Sequence, residues 1–206
     1  MFSEFKKWGE FIKISHTVFA MPFALASMLV AARDARGWPG WKLFGLIVLA
    51  VFCARTCAMS FNRIVDRKFD AENPRTASRH LPAGAISINS AWTLCAIAGI
   101  GFIATAFFIN KVCFYLSPVA LFFVCFYSVT KRFTSYTHVW LGVALALAPI
   151  GAWLAVQGQL GFVAIPEPYG ASGIGKAIAR NGLTGLLPLL LAAGVVFWLI
   201  GFDIIY

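Results

Sequence analysis

The residues best placed to do chemistry are Asn62, Asp66 and Asp70, four apart in the run Asn62-Arg63-Ile64-Val65-Asp66-Arg67-Lys68-Phe69-Asp70. If a helix continues through them, each is rotated by only about 40° from the last, so a carboxamide and two carboxylates share one face. Two acids one turn apart repel each other and are costly beside a low-dielectric interior, so a cation must compensate them. Mg²⁺ suits this set, because it takes hard oxygen ligands, keeps waters and is typically completed by substrate phosphates. The plain alternative is a solvated juxtamembrane loop in which Asp66 and Asp70 pair with Arg63, Arg67, Lys68 and Arg75. The shared face outweighs it, as do Arg75, Arg79 and the tight Leu81-Pro82-Ala83-Gly84 turn that follow. Acids and cations converging in this way are what a metal diphosphate needs.

The elements that must hold these residues are membrane spans. Of 206 residues, 60% are hydrophobic and 12% charged, and the charges gather between long apolar runs. Those runs lie at about 14–32, 43–61, 91–110, 114–130, 138–156 and 184–206, each near the ~20 residues that cross a bilayer. The fold class is therefore all-α, a polytopic transmembrane helix bundle with six helices in this chain, forming a single membrane domain over residues 1–206. Residues 1–13 set Lys6, Lys7 and Lys13 among Phe2, Phe5, Trp8, Phe11 and Ile12, which predicts an amphipathic segment at the interface. This stretch lacks a small-x-small cleavage site, so the first apolar run reads as a retained span.

The net charge of +9 does not point to nucleic acid, since the basic residues sit at the ends of apolar segments and not on one soluble face. With the N-terminus in the cytoplasm, the loops after the second and fourth spans carry the excess of Lys and Arg, which makes residues 62–84 a cytoplasmic catalytic loop. Cys53, Cys57, Cys95, Cys113 and Cys125 all lie in or beside apolar runs and read as small packing residues. The last span stops at Tyr206 with no polar tail, so the chain is expected to be C-terminally incomplete.

From Phe11 onward the sequence resembles the UbiA-type intramembrane aromatic prenyltransferases. The run Asn62-x-x-x-Asp66-x-x-x-Asp70, continued by Asn73-Pro74-Arg75-Thr76 and Arg79-His80-Leu81-Pro82-Ala83-Gly84, is similar to that family's first aspartate-rich motif and following loop. Tyr127-Ser128-Val129-Thr130-Lys131-Arg132 resembles its Tyr-x-x-x-Lys motif, and the segment Lys13 to Ala24 looks most like the 4-hydroxybenzoate polyprenyltransferases. The resemblance implies about nine helices in the whole protein and a second aspartate motif, approached by Gly201 to Tyr206 but absent from this chain. It implies Mg²⁺ on Asn62, Asp66 and Asp70, catalytic roles for Asp66, Asp70, Tyr127 and Lys131, and diphosphate contacts from Asn62, Arg75, Arg79, Lys131 and Arg132. The implied reaction joins polyprenyl diphosphate to a hydroxylated aromatic carboxylic acid, in ubiquinone or menaquinone biosynthesis at the bacterial inner membrane. Dihydroxynaphthoate, haem, chlorophyllide and glycerol-phosphate lipids are acceptors of the same scaffold.

Other features carry less. His16, near the start of the first span, could contact an aromatic acceptor, although a satisfied helix-end histidine is the commoner role by about two to one. His80 and His138 have no ligand spacing. Gly170 to Ala177 nearly matches a phosphate-binding loop, but Ala177 stands where a Mg²⁺-binding hydroxyl is needed and no buried strand precedes it. A non-enzymatic or transport bundle that binds cations would place ionisable groups near the midplane, whereas here they lie at helix ends, with Arg55 the main exception. Nothing in the residues sets an oligomeric state.

Overall fold

A computed structural model describes residues 2–33, 38–130, 132–134, 137–158 and 186–205. The described residues form seven helices and no strand: α1 (Phe2–Phe11), α2 (Ile14–Ala31), α3 (Trp41–Glu72), α4 (Ile88–Ile109), α5 (Lys111–Thr130), α6 (Thr137–Gln157) and α7 (Leu187–Ile205). Four stretches, Trp41–Glu72, Ile88–Ile109, Lys111–Thr130 and Val139–Gln157, are long and apolar enough to cross a membrane, and Ala20–Ala31 and Leu187–Gly201 are shorter apolar helices. Each expected span thus has its helix. The near phosphate-binding loop at 170–177 lies outside the described residues.

The main departure from the expected boundaries is in α3. Hydropathy ends the second span near residue 61, yet the helix runs on to Glu72, a length of 32 residues or about 48 Å. Nothing between Asn62 and Glu72 is Gly or Pro, so no local feature stops it. It ends at Asn73, extended at φ −96° and ψ 118°, because the Pro74 ring disfavours helical geometry in the residue before it. Residues 62–72 of the expected loop are therefore the last three turns of a membrane helix, and only 73–86 form turns.

α3 packs along α4, and α6 is held between α2 and α7. Polar clasps join the helices where lipid cannot satisfy a backbone group. Ser27 Oγ donates to the Pro149 carbonyl at 2.7 Å, tying α2 to α6. Asn110, between α4 and α5, donates to the Leu154 carbonyl at 2.9 Å and accepts from the Cys113 N–H at 2.8 Å. Cys57 and Cys95 are 3.7 Å apart at the α3–α4 seam, and all five cysteines are free thiols. Large apolar side chains on α4 and α5, among them Ile100, Phe107, Tyr115 and Phe122, point outward, as a bilayer solvent allows.

The closest helix approach described at a glycine is at Gly142 on α6, where an added Cβ would lie 3.0 Å from Val196 Cα on α7. Gly142→Ala is expected to cost about 1–3 kcal/mol through overpacking. Gly151→Ala, with nothing within 4 Å of the new carbon, is expected to raise stability slightly through lower chain entropy. Thermal unfolding of the two variants in the same detergent checks the opposite signs.

Candidate functional site

The continued helix does what the spacing predicts: Asn62, Asp66 and Asp70 follow one another down one side of the last turns of α3. Asn62 is buried, and its Nδ2 donates to Ser128 Oγ on α5 at 3.3 Å, so its acceptor oxygen Oδ1 stays available to a cation. Asp66 is half-buried. Asp70 is buried, and both of its carboxylate oxygens receive Arg79 Nη1, at 2.7 and 2.8 Å.

Arg79 reaches back across nine residues because the intervening chain is a series of tight turns. Asn73 opens it: its carbonyl accepts from the N–H groups of Thr76 and Ala77, both at 2.9 Å, and its Oδ1 accepts from Arg75 N–H at 3.0 Å. Thr76 Oγ1 donates to the Asp70 carbonyl at 3.0 Å, and Arg79 N–H donates to Thr76. Gly84 closes the segment at φ +72°, which costs a glycine nothing. Arg75 itself is exposed at the rim.

Two further cations belong to the site although sequence spacing did not single them out. Arg63 is buried and interacts electrostatically with Arg79, Asp70, Tyr127 and Asp66. Its position was legible: three residues before Asp66 and seven before Asp70 puts it on their side of the helix. Lys13 stands at the α1–α2 junction in left-handed geometry, φ 48° and ψ 63°. Burial, followed by the charges of Arg63 and Arg79, lowers the pKa of its ammonium below the ordinary lysine range. Lys13, Arg63 and Arg79 together make the mouth of the site positive, a charge that an anionic ligand would relieve.

Arg132 lies elsewhere. Its Nη2 donates to the Val65 carbonyl at 3.0 Å, and its guanidinium stands 5.1 Å above the Phe69 ring. Val65 and Phe69 are a turn apart on the flank of α3 next to the acids, so Arg132 braces that helix against the end of α5. Tyr127 is buried on α5. Lys131 lies outside the described residues, as does the side chain of His16 on α2.

Behind the acids opens a cavity of about 240 Å³, with alanines and branched residues of α3, α5 and α6 in its wall. Its polar lining comes from Arg55, Ser117 and Tyr127, and it extends along α5 from Tyr127 to Cys113, fourteen residues or about 21 Å. Phe123 lines it too, while Phe122 and Phe126 stack on each other at 5.0 Å outside the lining. Arg55 is its one charged lining residue among the described residues; Nε is buried without a hydrogen-bond partner, and Tyr127 is near enough to interact with it electrostatically. A guanidinium with a buried, unpartnered Nε in an apolar wall is costly unless an anion meets it.

As a metal site, the donor set is incomplete by itself but chemically apt. Among the described residues no three of His, Cys, Asp and Glu converge as a metal-binding group. Asn62, Asp66 and Asp70 offer hard oxygens from one helix face, which fits a cation of the Mg²⁺ type that depends on phosphate oxygens for the rest of its shell.

The model of the UbiA prenyltransferase family matches residues 20–206. The chain is 32% identical over 158 residues to a 4-hydroxybenzoate octaprenyltransferase of Vibrio campbellii, covering 77% of this chain and 56% of the relative. It is 29% identical over 182 residues to one of Albidiferax ferrireducens, covering 88% and 52%. It therefore spans about half the length of the curated relatives it matches. Among solved structures, a UbiA homolog from Aeropyrum pernix K1 superposes with a TM-score of 0.73 at 31% identity, covering 92% of this chain and 62% of that one. A digeranylgeranylglyceryl phosphate synthase, at 18% identity and a TM-score of 0.69 over 92% of this chain and 60% of the other, shares the fold. The all-helical bundle, the acid-bearing face of α3 and the match over residues 20–206 all lead to one assignment: the chain belongs to the UbiA prenyltransferase family.

Proposed function

We propose that this protein transfers a polyprenyl group from polyprenyl diphosphate to a hydroxylated aromatic carboxylic acid of the 4-hydroxybenzoate type. The observation that carries this reading is the juxtaposition of an acid and cation cluster with an apolar cavity holding one buried guanidinium. A diphosphate suits the cluster, an isoprenoid tail suits the apolar wall, and an aromatic carboxylate suits Arg55. The names of the relatives favour 4-hydroxybenzoate as acceptor, and with it ubiquinone over menaquinone formation.

Asn62, Asp66 and Asp70 would hold Mg²⁺, which when bound supplies charge to neutralise the phosphate oxygens of the leaving group. Arg79, Arg63, Lys13 and Lys131 bind the diphosphate and stabilise the negative charge it gains as the allylic C–O bond breaks. Arg75 adds long-range attraction from the rim, and Arg132 keeps the end of α3 in place. Apolar walls exclude water that would capture the allylic cation, and the face of Phe123 and the ring of Tyr127 can stabilise it. Arg55 pairs with the acceptor carboxylate and so aims the ring; a ring carbon forms the new C–C bond and the ring loses its proton. His16 remains a candidate contact for the acceptor's polar groups.

In this reading the protein is an integral membrane enzyme of the bacterial inner membrane with its acids toward the cytoplasm. A transport bundle is disfavoured because a midplane relay needs several ionisable groups, and among the described residues Arg55 is the one charged residue that lines the cavity. The test is to incubate membranes containing the protein with Mg²⁺, a polyprenyl diphosphate and a panel of hydroxybenzoates and naphthoates, and to identify products by mass. Prenylated hydroxybenzoate is the expected product; a prenylated naphthoate moves the acceptor, and no prenylated product from any member rejects the reading.

A further inference from the structure

Arg79 faces the acids from a segment with no regular structure of its own, so something must fix its position. α3 and α4 hold the two ends of residues 73–86. The middle is held by α1. Phe11 is 1% exposed, and its ring meets that of His80 edge-on at 6.3 Å. Trp8 packs edge-on against Phe11 at 5.7 Å, and Phe11 and Ile12 share an apolar cluster with Ile64, Leu81 and Ile86. Beside this contact, Glu10 Oε2 lies 3.7 Å from His80 Nε2, while Lys6 Nζ lies 4.0 Å from the other Glu10 oxygen. His80 also receives Ile86 N–H on its carbonyl at 3.1 Å, closing the turn from within. The residue immediately after Arg79 is thus gripped on its ring, its imidazole nitrogen and its backbone.

We infer that α1 is a strap for the diphosphate segment, with Glu10 and His80 as positioning residues that hold Arg79 over the acid face and thereby set affinity for the diphosphate. Neither residue needs to touch a ligand. An arginine on an unrestrained loop loses rotamer freedom each time it binds, and a loop pinned one residue away has already lost most of it. The inference rests on the diphosphate reading of the Arg79 site.

The pair is partly exposed, so its removal is expected to act within the range of a surface ion pair, about fivefold at most in affinity. His80→Leu and Glu10→Gln are each expected to raise KM for the prenyl diphosphate, and Kd for inorganic diphosphate with Mg²⁺, by about that factor, with KM for the aromatic acceptor and the thermal midpoint unchanged. His80→Lys, which sets an ammonium opposite Glu10, is expected to restore both values. Phe11→Ala should undock the strap and raise them more than about tenfold; if it fails to fold, the three polar variants still decide. Unchanged diphosphate constants in His80→Leu and Glu10→Gln, equal rises for both substrates, or a His80→Lys variant no better than His80→Leu would each overturn the strap. Absence of transfer by wild-type membranes would instead reject the enzymatic reading, and the calorimetric Kd for inorganic diphosphate judges the strap without it.

Discussion

Asp70→Asn is expected to lower prenyl transfer by about 10²–10³-fold, the scale on which removal of one preorganised charge-stabilising group acts in an active site. Asp66→Asn should do the same. The two differ in stability. Asp70 is buried and takes both contacts from Arg79, so its neutralisation weakens a charge-assisted bond and should cost about 1–2 kcal/mol. Asp66 is half-buried, and its replacement should cost less than that of Asp70. Single-turnover assays with Mg²⁺ and a saturating acceptor, paired with thermal unfolding in detergent, read both effects. A double variant that still forms product at a tenth of the wild-type rate would remove these acids from the chemistry.

Arg55→Leu is expected to raise KM for a carboxylated acceptor by about 100-fold, the equivalent of ~2.7 kcal/mol for losing the partner of a desolvated anion. A neutral phenol of the same size should be affected little. Stability should move the other way, because a buried guanidinium with an unpartnered Nε is replaced by a side chain at home in an apolar wall. Better folding together with poorer acceptor binding is a signature that general damage to the bundle does not give. Equal KM values for wild type and variant would take Arg55 out of acceptor recognition.

Much of this arrangement is legible in the residues, and what is not has identifiable causes. The helix periods and apolar runs give the bundle, and the four-residue spacing gives the acid face, because both depend only on local geometry. The end of α3 is misplaced by hydropathy, which stops at Asn62 where polarity rises, whereas the backbone stops at Asn73-Pro74 where the φ restriction lies. Arg63 could have been found from its i−3 and i−7 relation to the acids. Lys13 could not, since its place depends on a left-handed residue at a helix junction. Arg79 and Arg132 show the same limit from opposite sides. Both are cations near the acids in sequence logic, yet one folds back onto Asp70 and the other lies over Phe69. The path of a turn segment and the rotation of a neighbouring helix decide this, and neither is written in spacing. Among the described residues, the cavity and its one charge depend on five helices at once, α2 to α6.

The contact between Arg79 and Asp70 also bears on how ligands enter. If Asp70 holds a divalent ion and Arg79 a diphosphate, as proposed, the ion alone would have to displace the guanidinium from that carboxylate, and the diphosphate alone would have to draw it away from the same acid. Each then strands a partner that the other ligand would satisfy. Metal and diphosphate should accordingly bind as mutual helpers, each tightening the other by the same factor, and the pair should discriminate against free phosphate and free metal in the surrounding solution.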